Sequence, residues 1–94
     1  MIAMEFPICA AVQMDDGYVI RGHRHNDCMR TAVGFERYAG VHIRQDMQGF
    51  VTSRNRFVGR MEACTLFKRA EMKVAHTGEP LPEDVRTLYS EDLY

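Results

Sequence analysis

Hydrophobic and polar positions alternate near the start of the chain, and this alternation predicts a β-hairpin. In residues 8–14, apolar side chains at every second position would share one face of a strand. Asp15-Asp16-Gly17 is a turn signal, and residues 18–21 supply β-branched and aromatic side chains for a return strand. We therefore expect a first hairpin across residues 8–21.

The spacing of apolar residues then changes to that of a helix. A first helix is predicted from about Asn26, which suits an N-cap, to a stop at Gly40. Gly34 weakens this helix by roughly 1 kcal/mol relative to Ala, so tertiary packing must hold it. Residues 41–48 are expected to form a loop or an irregular edge. The apolar stripe of the helix consists of Cys28, Ala32, Phe35 and Ala39.

The pattern then repeats as a second hairpin and a second helix. Residues 49–53 and 56–58 are predicted strands, closed by a two-residue turn. Gly59 and Arg60 open the predicted helix, and glycine and prolines break it within residues 76–82. Its core-facing stripe consists of Ala63, Phe67, Ala70 and Val74.

This element order predicts an α+β fold. A small antiparallel sheet made of the two β-hairpins would carry the two helices packed on one face. The length of 94 residues suits a single domain, 1–94, with residues 77–94 as an extended C-terminal tail. The tail is acidic yet apolar, so we expect it to dock on its own domain or on a partner subunit and hold a homodimer or higher homo-oligomer together. Its anchors would be Leu88, Tyr89, Leu93 and Tyr94.

Composition narrows the class of protein. The 46% hydrophobic and 27% charged residues are typical of a globular chain. No apolar run approaches the roughly 18–20 residues that cross a bilayer, so no membrane partner is expected. Residues 1–7 contain Glu5 and no basic residue, unlike a secretory signal. The cysteines Cys9, Cys28 and Cys64 are odd in number and widely spaced, which indicates a reducing cytoplasm rather than a disulfide framework.

Charge is unevenly distributed along the chain. The net charge is −1, yet eight arginines lie between Arg21 and Arg60, and five acids lie between Glu79 and Tyr94. This balance argues against binding of long nucleic acid and leaves room for a local phosphate site, since arginine pairs bidentately with phosphate. The alternative is that these arginines are solvated or paired with the acidic tail.

Two stretches carry the candidate ligand-binding residues. The first places cationic and imidazole groups at the entrance of the first helix, where anions settle, although Gly22 and Asn26 there could serve only a turn and a cap. The second offers arginines that can pair with phosphate, an asparagine that can hydrogen-bond a base and an aromatic ring that can stack on it. The alternative is that its aromatic side chains belong to the sheet core and that its turn is simply exposed. The candidates are Arg21, Arg24 and His25, then Arg54, Asn55, Arg56, Phe57 and Arg60.

Metal binding and catalysis find little support in the same residues. The spacing of His23, His25 and Cys28 matches no paired zinc pattern. No Ser or Cys lies in a recognisable nucleophile context. We therefore expect no metal, no cofactor and no enzymatic activity.

Four motifs in one order resemble a group of small phage proteins that includes the Thoeris anti-defence sponges. These motifs are Gly22-x-Arg24-His25-x-Asp27, Gly49-Phe50-Val51-Thr52, Arg56-Phe57-Val58-x-Arg60-x-Glu62-Ala63 and Leu88-Tyr89-Ser90-Glu91-Asp92-Leu93. The chain departs from the family pattern in Gly59, where an acidic helix cap is usual, and in a shorter segment before the second hairpin.

The resemblance implies a non-catalytic oligomer in the host cell cytoplasm that holds its ligand near subunit contacts. It implies a sponge that sequesters a cyclic nucleotide or cyclic ADP-ribose immune signal and so inhibits anti-phage defence. The alternative is a small protein–protein adaptor of phage origin, whose contact surface would be residues 88–94.

Overall fold

The computed structural model describes residues 4–93. The interpretation of residues 1–7 as unlike a secretory signal therefore falls partly outside the described residues, because residues 1–3 are not included. Tyr94, one of the predicted tail anchors, also lies outside this range. Four antiparallel strands form one sheet in the order β2-β1-β3-β4, and two α-helices accompany it. The predicted α+β fold is therefore confirmed. The elements are β1 (Pro7–Gln13), β2 (Val19–Gly22), α1 (His25–Val33), β3 (Gln48–Thr52), β4 (Phe57–Gly59) and α2 (Arg60–Arg69).

Both predicted hairpins form, and they join through their first strands. In the first turn, the Met14 N–H donates to the Tyr18 carbonyl over 2.8 Å. In the second turn, Asn55 adopts a left-handed φ of 59°, a conformation that asparagine tolerates better than most residues. Ala10 of β1 pairs with Phe50 of β3, so these two strands form the centre of the sheet.

One face of the sheet carries the core. Pairing aligns Ala10 with Phe50, and Phe50 with Val58, on this face. Cys28 and Ala32 of α1 are buried together with side chains of β1 and β2. The second helix covers the other half of the same face with Ala63, Cys64, Leu66 and Phe67, packed with Phe50 and Val58. Both helices therefore lie on one face, as the sequence pattern predicts.

The first helix is displaced and shorter than predicted. It begins at His25 with Arg24 as its N-cap, so the prediction of Asn26 at that position is wrong. It ends at Val33, because Gly34 closes it with an N–H bond to the Thr31 carbonyl. Phe35 is consequently exposed, as is Ala39. The core receives Tyr38 instead, from a short 3₁₀ turn at Glu36–Tyr38.

The second helix also ends early, at Arg69. Glu71 adopts φ 56°, its N–H donates to the Lys68 carbonyl, and the Met72 N–H donates to the Phe67 carbonyl. These paired bonds are a Schellman termination, which usually uses glycine and here uses a glutamate. Val74 still reaches the core, but from the following loop rather than from the predicted helical stripe.

The tail packs on its own chain. Leu88 has an exposed fraction of 0% and belongs to the core beneath α2. Its N–H donates to the Arg60 carbonyl over 3.2 Å, and the Ala75 N–H donates to the Asp92 carbonyl over 2.9 Å. The described tail residues, up to Leu93, therefore contact their own domain. Docking on a partner subunit and the homodimer stay predictions.

Candidate ligand-binding site

A surface pocket of about 400 Å³ forms where both helices begin and the tail crosses them. Its first side is the N-terminal turn of α1, and its second is Arg60, the first residue of α2. Its third side is the tail turn Ser90–Asp92, preceded by Tyr89. The lining consists of Arg24, His25, Asn26, Asp27, Met29, Arg30, Gln48, Arg60, Tyr89, Ser90 and Glu91.

His25 fixes the start of α1 to the sheet. Its side chain is 6% exposed, its Nε2 lies 2.8 Å from the Gly49 carbonyl oxygen, and its ring meets that of Phe50 edge-on. Since a carbonyl only accepts, Nε2 carries the proton of this bond. Burial lowers the pKa of His25 below its ordinary value, and Arg60 acts in the same direction. The imidazole is therefore a neutral back wall of the pocket.

Arg60 presents the least satisfied group of the pocket. Its Nη2 donates to Gln48 Oε1 over 2.8 Å, and its guanidinium carbon lies 5.3 Å from the centroid of the Tyr89 ring. Its Nε is buried and has no hydrogen-bond partner within residues 4–93. An unpaired buried donor costs about 1–3 kcal/mol, more when it is charged, so Arg60 is held in this position at an energetic cost.

Arg24 and the tail meet at the mouth of the pocket. The Arg24 Nη1 lies 3.8 Å from Glu91 Oε2, with both side chains partly exposed. The Arg24 N–H donates to Asp27 Oδ2, and Asp27 also pairs with Arg30 over 3.5 Å. The lining thus contains three arginines and two carboxylates, which leaves one net positive charge beside a neutral His25.

Three other sequence candidates lie on the face of the sheet away from the helices. Arg21 pairs in register with Ala11, and Phe57 with Val51, both on that face. The Arg21 guanidinium donates to the Asn55 side-chain carbonyl across it. The alternation of strand side chains explains the separation, because Arg21 and the pocket point to opposite sides of one sheet.

The arginines of the second turn also lie outside the pocket. Arg56 donates through Nε and Nη2 to Glu5 over 2.7 and 2.8 Å, and through Nη2 to Glu62 over 2.8 Å. Arg54 lies in the exposed turn, where its N–H donates to Thr52 Oγ1. Of the eight sequence candidates, the structure therefore brings together Arg24, His25 and Arg60.

The tail's part in the pocket is absent from the sequence prediction. Tyr89 and Glu91 lie in a motif of the family resemblance, in a tail that is predicted to dock rather than to contact a ligand. Gln48, which positions Arg60, lay in a segment expected to be a loop. A contact between residues 24 and 91 has no signature in spacing, because it depends on the tail's return across both helices.

Two further structural features concern metal binding and membrane insertion. Among residues 4–93, no three His, Cys, Asp or Glu side chains are grouped as a metal ion would require. Within the same range, no helix has the length and apolar character needed to cross a bilayer. The expectations of no metal and no enzymatic activity stay predictions.

The fold and site define a small α+β protein with an arginine-lined pocket walled on one side by its own tail. The family model of the phage T4 y16D protein matches residues 8–94, and the chain therefore belongs to this phage protein family. Comparison with curated proteins and with solved structures found no significant match. The phage character of the resemblance is thus confirmed, and the closer link to the Thoeris anti-defence sponges stays a prediction.

Proposed function

We propose that this phage protein binds and sequesters a small phosphate-bearing immune signal and releases it uncleaved. The signal would be a cyclic nucleotide or a cyclic ADP-ribose-type molecule, and its capture would inhibit host anti-phage defence. The observation that carries the proposal is the convergence of Arg24, Arg30 and Arg60 on one pocket at which both helices begin. Helix N-termini and arginine forks both favour phosphate.

The pocket also offers a place for a base. Tyr89 is 48% exposed, and its ring is a stacking surface of the kind that holds nucleobases. A phosphate near Arg60 would pair with the positive charge of its guanidinium. A volume of about 400 Å³ lies at the lower end of the range for small-molecule sites, which suits a compact nucleotide.

Binding without cleavage agrees with the side chains of the pocket. The lining offers two hydroxyls, those of Tyr89 and Ser90, and no thiol. The Nε2–H of His25, its one imidazole, donates to the Gly49 carbonyl rather than to a nucleophile, and burial lowers the pKa of this histidine. Assembled nucleophile and base pairs are the usual requirement for hydrolysis of phosphate esters without a metal. Ligand mixed with the protein and recovered after denaturation should therefore be chemically intact, and product in excess over protein would indicate an enzyme.

The first test is a thermal-shift panel of 3′,5′-cyclic mononucleotides, cyclic dinucleotides and cyclic ADP-ribose isomers. A ligand at 100 times its dissociation constant should add about 2.7 kcal/mol to the free energy of unfolding. Replacing Arg60 with Gln should weaken that ligand at least tenfold by calorimetry, because a charged donor is lost. Arg69→Gln removes the same charge from an exposed position outside the pocket lining and is the matched control. Equal affinities of the two variants, or no ligand for the unaltered chain, would overturn the proposal.

A specific observation favours the adaptor as a second candidate. Apolar side chains are exposed beside the end of α1, with Val33 77% exposed and the rings of Tyr18 and Phe35 in contact. Such patches often mark protein contacts. Residues 88–94 are less suited than expected, because Leu88 is already buried. Loss of partner capture on Val33→Asp, with nucleotide binding absent from the unaltered chain, would favour the adaptor.

A further inference from the structure

We propose that Glu91 occupies the position of the ligand's phosphate in the free protein, so that the tail competes with the ligand for Arg24. This inference rests on the proposed function of the pocket. The Glu91 carboxylate lies 3.8 Å from Arg24 Nη1 at the mouth of the pocket. A carboxylate and a phosphate oxygen make the same charge-assisted bond to a guanidinium, so each excludes the other.

The tail places Glu91 there while leaving its side chain able to withdraw. Upstream, Leu88 is anchored by full burial and by its bond to the Arg60 carbonyl. Downstream, the Asp92 carbonyl accepts from Ala75, and the Asp92 carboxylate accepts from the Tyr89 N–H, so the turn is tied at both ends. Glu91 itself is exposed, and its side chain is 57% exposed. Rotation of this side chain can therefore clear the pocket with the turn still in place.

The charges around Arg24 determine the direction of the effect. Asp27 is occupied by the Arg24 N–H and by Arg30, so it belongs to the helix end. Glu91 is the carboxylate of the lining that approaches the Arg24 guanidinium from the tail. An incoming anion must displace it and then remain near its charge. An ion pair this exposed is weak, so the competition lowers affinity by a modest factor rather than closing the site.

Glu91→Gln tests the inference, with Glu83→Gln as its control. Glu83 is an exposed tail acid outside the pocket lining, so both variants change the net charge equally. The probes are AMP, 3′,5′-cyclic AMP and inorganic pyrophosphate, measured by calorimetry at fixed ionic strength. Glu91→Gln should tighten binding about fivefold. Glu83→Gln should change it less than twofold. In an Arg24→Gln background the gain should disappear, because the competing pair no longer exists.

The outcomes separate this inference from the function on which it rests. If the unaltered chain binds a probe and Glu91→Gln matches Glu83→Gln, the competition is refuted while the binding function stands. If a probe binds measurably only to Glu91→Gln, the competition is supported, while sequestration of that probe by the unaltered chain is refuted. If neither the unaltered chain nor Glu91→Gln binds any probe, the competition is refuted, and the binding function falls with it when the thermal-shift panel also finds no ligand.

Discussion

Two arginines of similar sequence context have different chemical situations in this protein. Arg56 is held by Glu5 and Glu62 through three hydrogen bonds, so its donors serve the fold. Arg60 is four residues later, yet it leaves a buried Nε without a partner among residues 4–93. A guanidinium whose donors are taken up by several carboxylate hydrogen bonds has few left for a ligand. The partners of each arginine therefore decide its role.

The pairing of Arg56 has a consequence for acid stability. The Glu5 side chain is 8% exposed, and bonds from Arg56 and then Thr52 lower its pKa from 4.5 to about 2. Since the folded pKa is depressed, the stabilising contribution of Glu5 is complete above about pH 4.5 and is lost as pH falls through about 2. Glu5→Gln should lower the free energy of unfolding at pH 7 and make its decline between these two pH values shallower.

Denaturant unfolding at a series of pH values measures this effect. Glu83→Gln, an exposed carboxyl, should follow the unaltered chain across the whole range. A Glu5→Gln variant as stable as the unaltered chain at pH 7, with the same decline below pH 4.5, would show that the Arg56 pair contributes nothing.

At the scale of elements, the sequence correctly predicts the two hairpins but not the residues at which the two helices end. Turn residues and alternation predict both hairpins, because a short turn and its flanking strands are determined by neighbours in sequence. The helix ends were missed because they depend on backbone choices that composition does not reveal. Gly34 ends α1 inside a continuing apolar pattern, and Glu71 takes the left-handed position that glycine usually fills.

The candidate site could be predicted from the sequence only in part, because some of its residues are brought together by long-range packing. Arg24, His25 and Arg60 could be predicted, because helix starts are visible in sequence and anions favour them. Arg21 could not be excluded from the site without knowing which face of β2 it occupies. Tyr89 and Glu91 could not be included without knowing where the tail lies, which is a long-range packing outcome.

At Gly49 in strand β3 there is no space for a side chain, so a substitution there should destabilise the protein. A Cβ there would lie 2.0 Å from the Val58 carbonyl oxygen and 2.7 Å from Phe57 Cζ. Gly49→Ala should therefore cost about 1–3 kcal/mol of unfolding free energy through overpacking, and it should loosen the His25 bond to the Gly49 carbonyl.

Gly59→Ala is the matched control for this prediction. A Cβ at Gly59 would meet nothing within 4 Å, and its φ of −70° suits any residue. Because Gly59 is the N-cap of α2 and alanine is a poorer cap than glycine, chemical denaturation should place Gly59→Ala about 0.5–1 kcal/mol below the unaltered chain and above Gly49→Ala. Equal stabilities of the two alanine variants would contradict the close packing of β3 against β4.

At the scale of the whole molecule, the tail contributes to stability as part of the core. A chain ending at Thr87 loses Leu88, whose removal from a packed interior costs about 2–5 kcal/mol. Because the tail packs on its own domain, the loss should be the same at low and high protein concentration. Denaturation at two concentrations, with light scattering, measures both stability and assembly.

Leu88→Ala in the full chain is the companion variant and should reproduce most of that loss. If destabilisation by the truncation appeared only at concentrations where the full chain is dimeric, the tail would act between subunits. Such a result would support the docking on a partner subunit that the sequence also allowed.

The strand order β2-β1-β3-β4 divides the molecule into two halves of the same element order, each a hairpin followed by a helix. Each half is built from neighbours in sequence and can form early, whereas the seam between residues 10 and 50 must wait for a long loop to close. The joining of the halves should therefore be the slow step of folding. Substitutions along the β1–β3 seam should slow refolding more than equally destabilising ones inside either hairpin.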